Sequence, residues 1–440
     1  MRIGIVTEFA CGLSWWKRLA DEGNEVKVWS KNREHKFVGE GIVNNSGTFW
    51  DLLYWVRAGH PSMMLFDSSG LGDLAEEARS RGVVVVCGGK FMDRLEKDRG
   101  FGFSVAEAIG CKLPPYEDFN SFEECLAFAR EMTEDIPVYF KSDRFLDSDA
   151  THGSTSQEEL VEYLEYIVRT YGSHGKCMLQ EKIDGIPLST SRWWNGREWV
   201  GPITYTLEHK KFLAGDVGPS TGCSLNAVWF SYSEEAQVIQ RTGWPNLEGL
   251  LRQKQAPPGL YDINSLVTPT GECYFLEWTP RLGYDSEMTS GRLIPKLGRF
   301  LYAVATGGEV PRCSDDLAYA IRLGVPPYPW EHSKKTDNKS CVGTFISGPG
   351  VGDLWSGEFI AYQVRQGNPL LEMACAEGIV GLVYEQGQGL SKMHEKALKF
   401  ASKKLNVPGL LYRTDGDKVL LEDAKKLRAA GVTVHKDLFS

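Results

Sequence analysis

The sequence predicts an α/β fold in several layers, opened by a small parallel-sheet domain and closed by a mixed α/β domain. Two observations carry that prediction. Strand and helix patterns alternate through residues 1–88, the rhythm of βαβ units whose crossover helices cover a parallel sheet. Beyond residue 136, short apolar strands alternate with amphipathic helices, which suits mixed sheets with helical cover. The length agrees, since 440 residues allow two to four domains at ~100–200 residues each.

The elements follow in order. MRIGIVT reads as a strand, Leu13–Glu22 as a helix and Glu25–Trp29 as a strand; SMMLFD, the helical Leu71–Arg81 and GVVVVCGG complete the first domain, 1–88. TEFACGLS stands where a GxGxxG turn would follow the first strand, so NAD binding is not expected. Residues 89–135 read as a helical connection, with apolar stripes over Phe101–Gly110 and Phe122–Met132 on either side of the turn KLPPYEDF. Residues 136–205 form a compact unit: IPVYFKS is a strand, Ser156–Tyr171 a capped helix, and CMLQEKI and Trp199–Thr206 are strands. Residues 206–305 hold a hairpin and a helix near Leu293–Ala305. Residues 306–440 form the closing domain, with strands near Ala318–Leu323, Phe359–Val364 and Val380–Tyr384 and a helix at Ser391–Lys404.

Composition narrows the function. Hydrophobic residues at 42% and charged residues at 24% suit a soluble globular chain. A net charge of −9 argues against a duplex nucleic-acid binder but leaves nucleotides open, because one pocket needs few cations. No apolar run approaches the ~18 residues that span a bilayer. The opening residues do not form a signal peptide, and the ten cysteines lack CxxC spacing. They read as reduced thiols in a cytoplasmic protein rather than as a disulfide or zinc framework.

The chemistry concentrates in Tyr261–Gly283, YDINSLVTPTGECYFLEWTPRLG, which reads as two strands joined by a turn near Pro269–Gly271. Asp262 and Glu277 would lie side by side across this hairpin, with Arg281 beside them. Paired carboxylates and a guanidinium suit Mg2+ and a phosphoryl group in transfer; the same residues also suit a plain hairpin with solvated acids. Lys141, at the end of IPVYF, is placed to meet ATP phosphates or simply to face solvent. Gln180 and Ile183, on CMLQEKIDG, offer backbone groups to an adenine ring, or belong to an ordinary core strand. His209, Lys210 and Lys211 precede the loop GPSTG, whose Ser220 and Thr221 can donate to an anion; a plain surface loop fits equally.

These segments, in this order, resemble the ATP-grasp superfamily, and within it the phosphoribosylamine–glycine ligase family. EHKKFLAGDVGPSTGCS is similar to the family's DHKR-then-GPNTGG segment and LEWTPRLG to its LEFNxRFG. PVYFKS, MLQEKIDG and GLLYRTDGD are similar to its phosphate-lysine strand, adenine hinge and closing stretch. The resemblance implies a central ATP-grasp fold, with 136–205 as its small lid domain and 206–305 as its central domain. It places Lys141 and Arg99 on ATP phosphates, and Gln180, Glu181, Ile183 and Asp184 around adenine and ribose. Glu277, Asp262 and Thr279 would hold Mg2+. His209, Lys210, Arg281, Gly283 and Gly218, Pro219, Ser220 and Thr221 would meet the substrates.

Departures mark a divergent member. Thr279 replaces the expected asparagine, Ile186 and Pro187 replace acids after the hinge, the 143–155 lid lacks GKG, and the first domain lacks a GGGGREH-like loop. The implied activity is an ATP-dependent carboxylate–amine ligase, acting through an acyl phosphate on an amino acid and an amine, which the altered first domain leaves open to a nucleotide. A monomer or homodimer is expected. An ATP-grasp carboxylase and a non-catalytic nucleotide-binding protein are the alternatives.

Overall fold

The computed structural model describes residues 1–142, 151–282, 285–329, 340–349, 351, 357–387 and 389–440. Most of the expected lid, 143–155, lies outside the described residues, as does Gly283.

The predicted α/β class holds. The N-terminal sheet is parallel, in the order Asn44–Asn45, Glu25–Ser30, Arg2–Thr7, Ser62–Phe66, Val85–Val86. Successive strands are added first on one side of Arg2–Thr7 and then on the other, so a topological switch point lies beyond Thr7. There the Glu8 amide donates to Ser68 Oγ at 3.1 Å and the Ala10 amide to Thr7 Oγ1 at 3.0 Å.

A second, antiparallel sheet runs Tyr116–Ser121, His174–Glu181, Val138–Ser142, Thr151–Ser154. The helices Phe122–Glu131 and Gln157–Tyr171 pack against it through Phe122, Phe140, Leu160, Leu164 and Ile167. Its first strand corrects the reading of KLPPYEDF as a turn within a helical connection. YEDFNS buries only Phe119, so it carries no two-faced apolar signal; polar residues are what an edge strand tolerates. Ser121 then caps the following helix, accepting from the Glu124 amide at 3.1 Å.

The central sheet has eight antiparallel strands: Cys273–Trp278, Gly259–Val267, Ile186–Trp194, Trp199–Leu213, Val217–Ser231, Leu317–Gly324, Ile379–Gly387 and Phe359–Ala361. It draws strands from both sides of the boundaries expected after residues 205 and 305. The expected GPSTG loop is a second correction, because Gly218–Gly222 lie within a strand paired to Trp199–Leu213. The turn comes earlier, at Gly215 (φ 79°) and Asp216 (φ 55°), residue types that accept left-handed backbone. Glycine and proline in GPSTG suggested a turn, but they fall where the ribbon has left the sheet body and needs no packed side chains. The expected strand 359–364 divides: Phe359–Ala361 joins the central sheet, and Val364–Gln366 joins a three-stranded sheet with Leu371–Met373 and Phe345–Ile346.

Candidate active site

Strand alternation sends every second side chain to one face. Ser189 pairs with both Asn264 and Thr206, Asn264 with Glu277, Glu208 with Asn226, and Asn226 with Ala320. One face of the central sheet therefore carries a polar row: Glu277, Asn264, Asp262, Ser189, Glu208, Lys210, Asn226 and Arg322. The short helix Asp285–Gly291 packs over this face at the strands Val217–Ser231 and Leu317–Gly324.

The hairpin is held by a turn in which the Gly271 amide donates to Thr268 O and the Thr268 amide to Glu272 O, both at 2.9 Å. Gly271 has φ 79°, and a Cβ there would lie 2.5 Å from Ala430 O, so glycine is required on two counts. The register brings Asn264, not Asp262, opposite Glu277. Asp262 is instead fully engaged, 5% exposed, accepting from Ser189 Oγ, Thr279 Oγ1 and Asn264 Nδ2. Burial pushes its carboxyl up to about 6, against those hydrogen bonds. Glu277 behaves oppositely. Lys210 Nζ lies 3.3 Å from its carboxylate, and Lys210, followed by Lys141 and Arg99, holds it down at about 2 despite burial. Both partners are about half-exposed to cleft water, with dense protein around them.

The cations come from three elements. Lys141 rises from the four-stranded sheet and donates to Gln180 Oε1 at 2.5 Å. Burial, reinforced by Arg99, lowers its ammonium to about 8. Arg99 opens the helix Arg99–Ala108. Gln180 lies between Tyr116 and Tyr139 inside the sheet, so its clearest task is to position Lys141 rather than to meet adenine directly. Beyond it the amides of Glu181 and Lys182 bond Pro115 O and Pro137 O at 2.9 and 2.8 Å, turning the chain out towards Ile183 and Asp184.

Other expected site residues fall elsewhere. His209 does not enter the cleft. Alternation turns it to the opposite face, between Asp216 Oδ1 at 3.1 Å and Asp423 Oδ2 at 2.8 Å. Burial would lower its imidazolium, but these two carboxylates raise it. Beside it, the fully buried Arg413 bonds Asp216 and Asp415, each at 2.6 Å, and so braces the long ribbon against the helix Gly416–Ala429. Arg281 pairs with Glu96 Oε1 at 2.9 Å while still acting on Asp262 and Glu287, which places it at the cleft margin. Thr279 serves Asp262 and accepts from Asn264 at 2.8 Å. Thr221 Oγ1 donates to Lys210 O at 2.8 Å, and Gly218 O accepts from Lys211 at 3.2 Å, so the Gly218–Thr221 segment, with Pro219 and Ser220, shapes the strand beside Lys210.

Sequence reasoning missed four groups. Asn264 follows Asp262 at the strand period and was legible on that ground alone. Glu208, Glu287 and the Arg322–Asp285 pair were not, because only in the folded chain does the helix at 285–291 carry Asp285 and Glu287 over the row that holds Glu208 and Arg322. Burial pushes Glu208 up to about 7 and Glu287 up to about 8. Glu287 therefore holds its proton in the folded chain where an unfolded glutamate, near 4.3, has lost it. The folded state binds more protons between these values, so this group costs stability as pH rises from about 4.3 towards 8. Glu287→Gln should melt higher than the parent at pH 8, with the advantage shrinking by pH 5. Equal differences at both pH values would reject the assignment.

Magnesium takes oxygen donors, usually one or two carboxylates, and completes its shell elsewhere. The ionised Glu277 meets that need. Asn264 spends its amide N–H groups on Asp262 and Thr279, which leaves its carbonyl oxygen as the second donor. The residues fit the ion.

Residues 98–287 match the family described as Phosphoribosylglycinamide synthetase, ATP-grasp (A) domain. This segment is an ATP-grasp domain. It contains every member of the polar row except Arg322. Over a longer span, the chain is 22% identical across 364 residues to a phosphoribosylamine–glycine ligase of Halalkalibacterium halodurans, covering 80% of this chain and 81% of the relative. It is also 22% identical across 332 residues to one of Lactococcus lactis, covering 74% and 76%. The crystal structure of phosphoribosylamine–glycine ligase from Thermotoga maritima shares the fold, with a TM-score of 0.73 at 20% identity over 94% of this chain and 100% of that one. No described helix is long and apolar enough to cross a membrane.

Proposed function

We propose that this chain is an ATP-dependent carboxylate–amine ligase, joining glycine or another amino acid to an amine borne by a ribosylamine- or nucleotide-type acceptor. The observation that carries this is the cluster of Glu277, held ionised, with Lys210, Lys141 and Arg99 in the ATP-grasp cleft. Phosphoryl transfer asks a protein chiefly to position groups and neutralise charge, and this cluster supplies both. ATP would phosphorylate the amino-acid carboxylate; the amine would then displace phosphate, leaving an amide, ADP and phosphate.

The residues divide the work. Lys141, aimed by Gln180, and Arg99 hold the phosphates. Glu277 and the Asn264 carbonyl would hold Mg2+, which would supply charge neutralisation for the phosphates. Lys210 balances Glu277 and borders the acid's side of the cleft, with Arg281 at the margin. The buried Arg322–Asp285 pair fixes the helix over the row. An ADP-release screen with Mg2+, ATP, the twenty amino acids and several amine acceptors tests this reading. ADP formed only when an amino acid and an amine are both present supports it; ADP release indifferent to both rejects it.

Lys141 adds a pH signature. Burial lowers its ammonium to about 8, and phosphates beside it would raise that value. Between the two values nucleotide binding must take up protons. Titration calorimetry at pH 8 in buffers of different ionisation heat should show uptake in the parent and none in Lys141→Met.

A further inference from the structure

We infer a second, independent metal site of the zinc class, formed by His35, Cys375 and Glu377. One ring nitrogen of His35, the Cys375 thiol and a Glu377 carboxylate oxygen all lie within 4.8 Å of one another. Donor atoms around a tetrahedral zinc ion sit about 3.3–3.8 Å apart, given bonds of about 2.0–2.3 Å. The three groups are therefore within a small inward adjustment of a coordination shell. His35 is 1% exposed and Cys375 3% exposed, while the Glu377 side chain keeps 21% exposure, so the site lies just beneath the surface and open to an ion on the Glu377 side.

The surroundings are those of a metal ligand set. His35 Nδ1 lies 2.8 Å from the Glu8 carbonyl oxygen, which can only accept, so Nδ1 carries the proton. The other nitrogen, Nε2, faces Glu377 at 2.9 Å. Fixing the tautomer through one nitrogen so that the other meets the ion is the usual second shell of a metal-bound histidine. Gln363 donates its Nε2 to Glu377 and is 0% exposed, yet its Oε1 has no partner among the described residues. Reversing the amide would set its oxygen against the carboxylate, so the orientation is determined. Three protein donors leave one place on zinc for water, and the unpartnered Gln363 Oε1 marks a buried polar group, on the residue that bonds Glu377, with hydrogen-bonding capacity to spare.

The donor set selects the ion. Thiolate and imidazole suit zinc and its neighbours and are poor ligands for magnesium, so this site and the ATP-grasp cleft would take different metals. The ordinary alternative is a buried His35–Glu377 ion pair with Cys375 beside it. It accounts for the thiol as a hydrogen-bond partner of His35, but not for the orphaned amide oxygen. The site joins the turn Arg33–His35 of the N-terminal unit to the segment after the strand Leu371–Met373. A bound ion would clamp those parts together, next to the Glu8 segment at the switch point.

The full chain, stripped with a chelator, is titrated with ZnCl2 by calorimetry, and retained metal is counted by mass spectrometry after dialysis. One equivalent is expected, with a rise in melting temperature. Cys375→Ser and His35→Gln should each weaken zinc binding at least about 100-fold and abolish the rise, whereas Cys313→Ser, a buried cysteine elsewhere, should leave both intact. Cobalt should give a thiolate charge-transfer band that Cys375→Ser removes. Melting of each variant in chelator, compared with the stripped parent, reports whether it is folded. Failure of the parent to retain stoichiometric zinc overturns the inference, as does retention by both ligand variants.

Discussion

Glu277→Ala should lower substrate-dependent ADP release by about 10³-fold, the scale of about 4 kcal/mol of transition-state stabilisation. Glu277 is the one carboxylate of the polar row held near 2, so it is ionised wherever the enzyme would work. Its removal takes away the principal oxygen donor for Mg2+ and leaves Lys210 without its partner at 3.3 Å. Because Glu277 is about half-exposed, the change opens no core cavity, and the melting temperature should move little. That separation between activity and stability is the useful part of the experiment. An unchanged rate of ADP release would remove Glu277 from the metal site.

Asp285→Ala should have the converse profile, with a loss of about 3–5 kcal/mol in folding stability. Arg322 is 4% exposed and Asp285 0% exposed, and the guanidinium holds the carboxylate at 2.6 and 2.8 Å. Tyr362 also donates to Asp285, at 3.0 Å, and Tyr328 hydroxyl lies 3.0 Å from Arg322. Truncating the acid strands a buried cation, which is far costlier than losing the pair as a whole. The double variant Arg322→Met, Asp285→Leu should therefore recover most of the loss. Urea unfolding read by tryptophan fluorescence measures both, and a single variant within about 1 kcal/mol of the parent would mean that the pair is solvated or replaceable.

Much of the site was readable before folding. Glu277 announces itself at the end of an apolar strand, and Lys141 does so at the mouth of another. The register of the hairpin was not readable, because an irregularity between Asn264 and Ser265 steps the partner of Glu277 from Ile263 to Asn264. A one-residue step exchanges faces, and the same rule removed His209 from the cleft while keeping its neighbour Lys210 there. Glu208 and Glu287 gain their character only from burial between the sheet and the helix Asp285–Gly291, which no local pattern encodes. The N-terminal parallel sheet was legible from its rhythm, whereas the polar edge strand Tyr116–Ser121 and the long ribbon were concealed by charge, glycine and proline. His35 lies 342 positions from Glu377, and Cys375 has no second cysteine beside it, so cysteine spacing could not disclose the three.

The brace on the ribbon has a consequence for the order of events at birth. His209 meets Asp423 across 214 positions, and Arg413 meets Asp216 across 197. At about 5–20 residues per second of synthesis, the ribbon emerges about 10–40 s before the groups that steady it. Throughout that interval the arm that carries Lys210 is held by its pairing with Val217–Ser231 alone, without its brace. The pocket of a nascent chain is thus completed by its late-arriving helix, and catalysis would begin only once translation has passed residue 423.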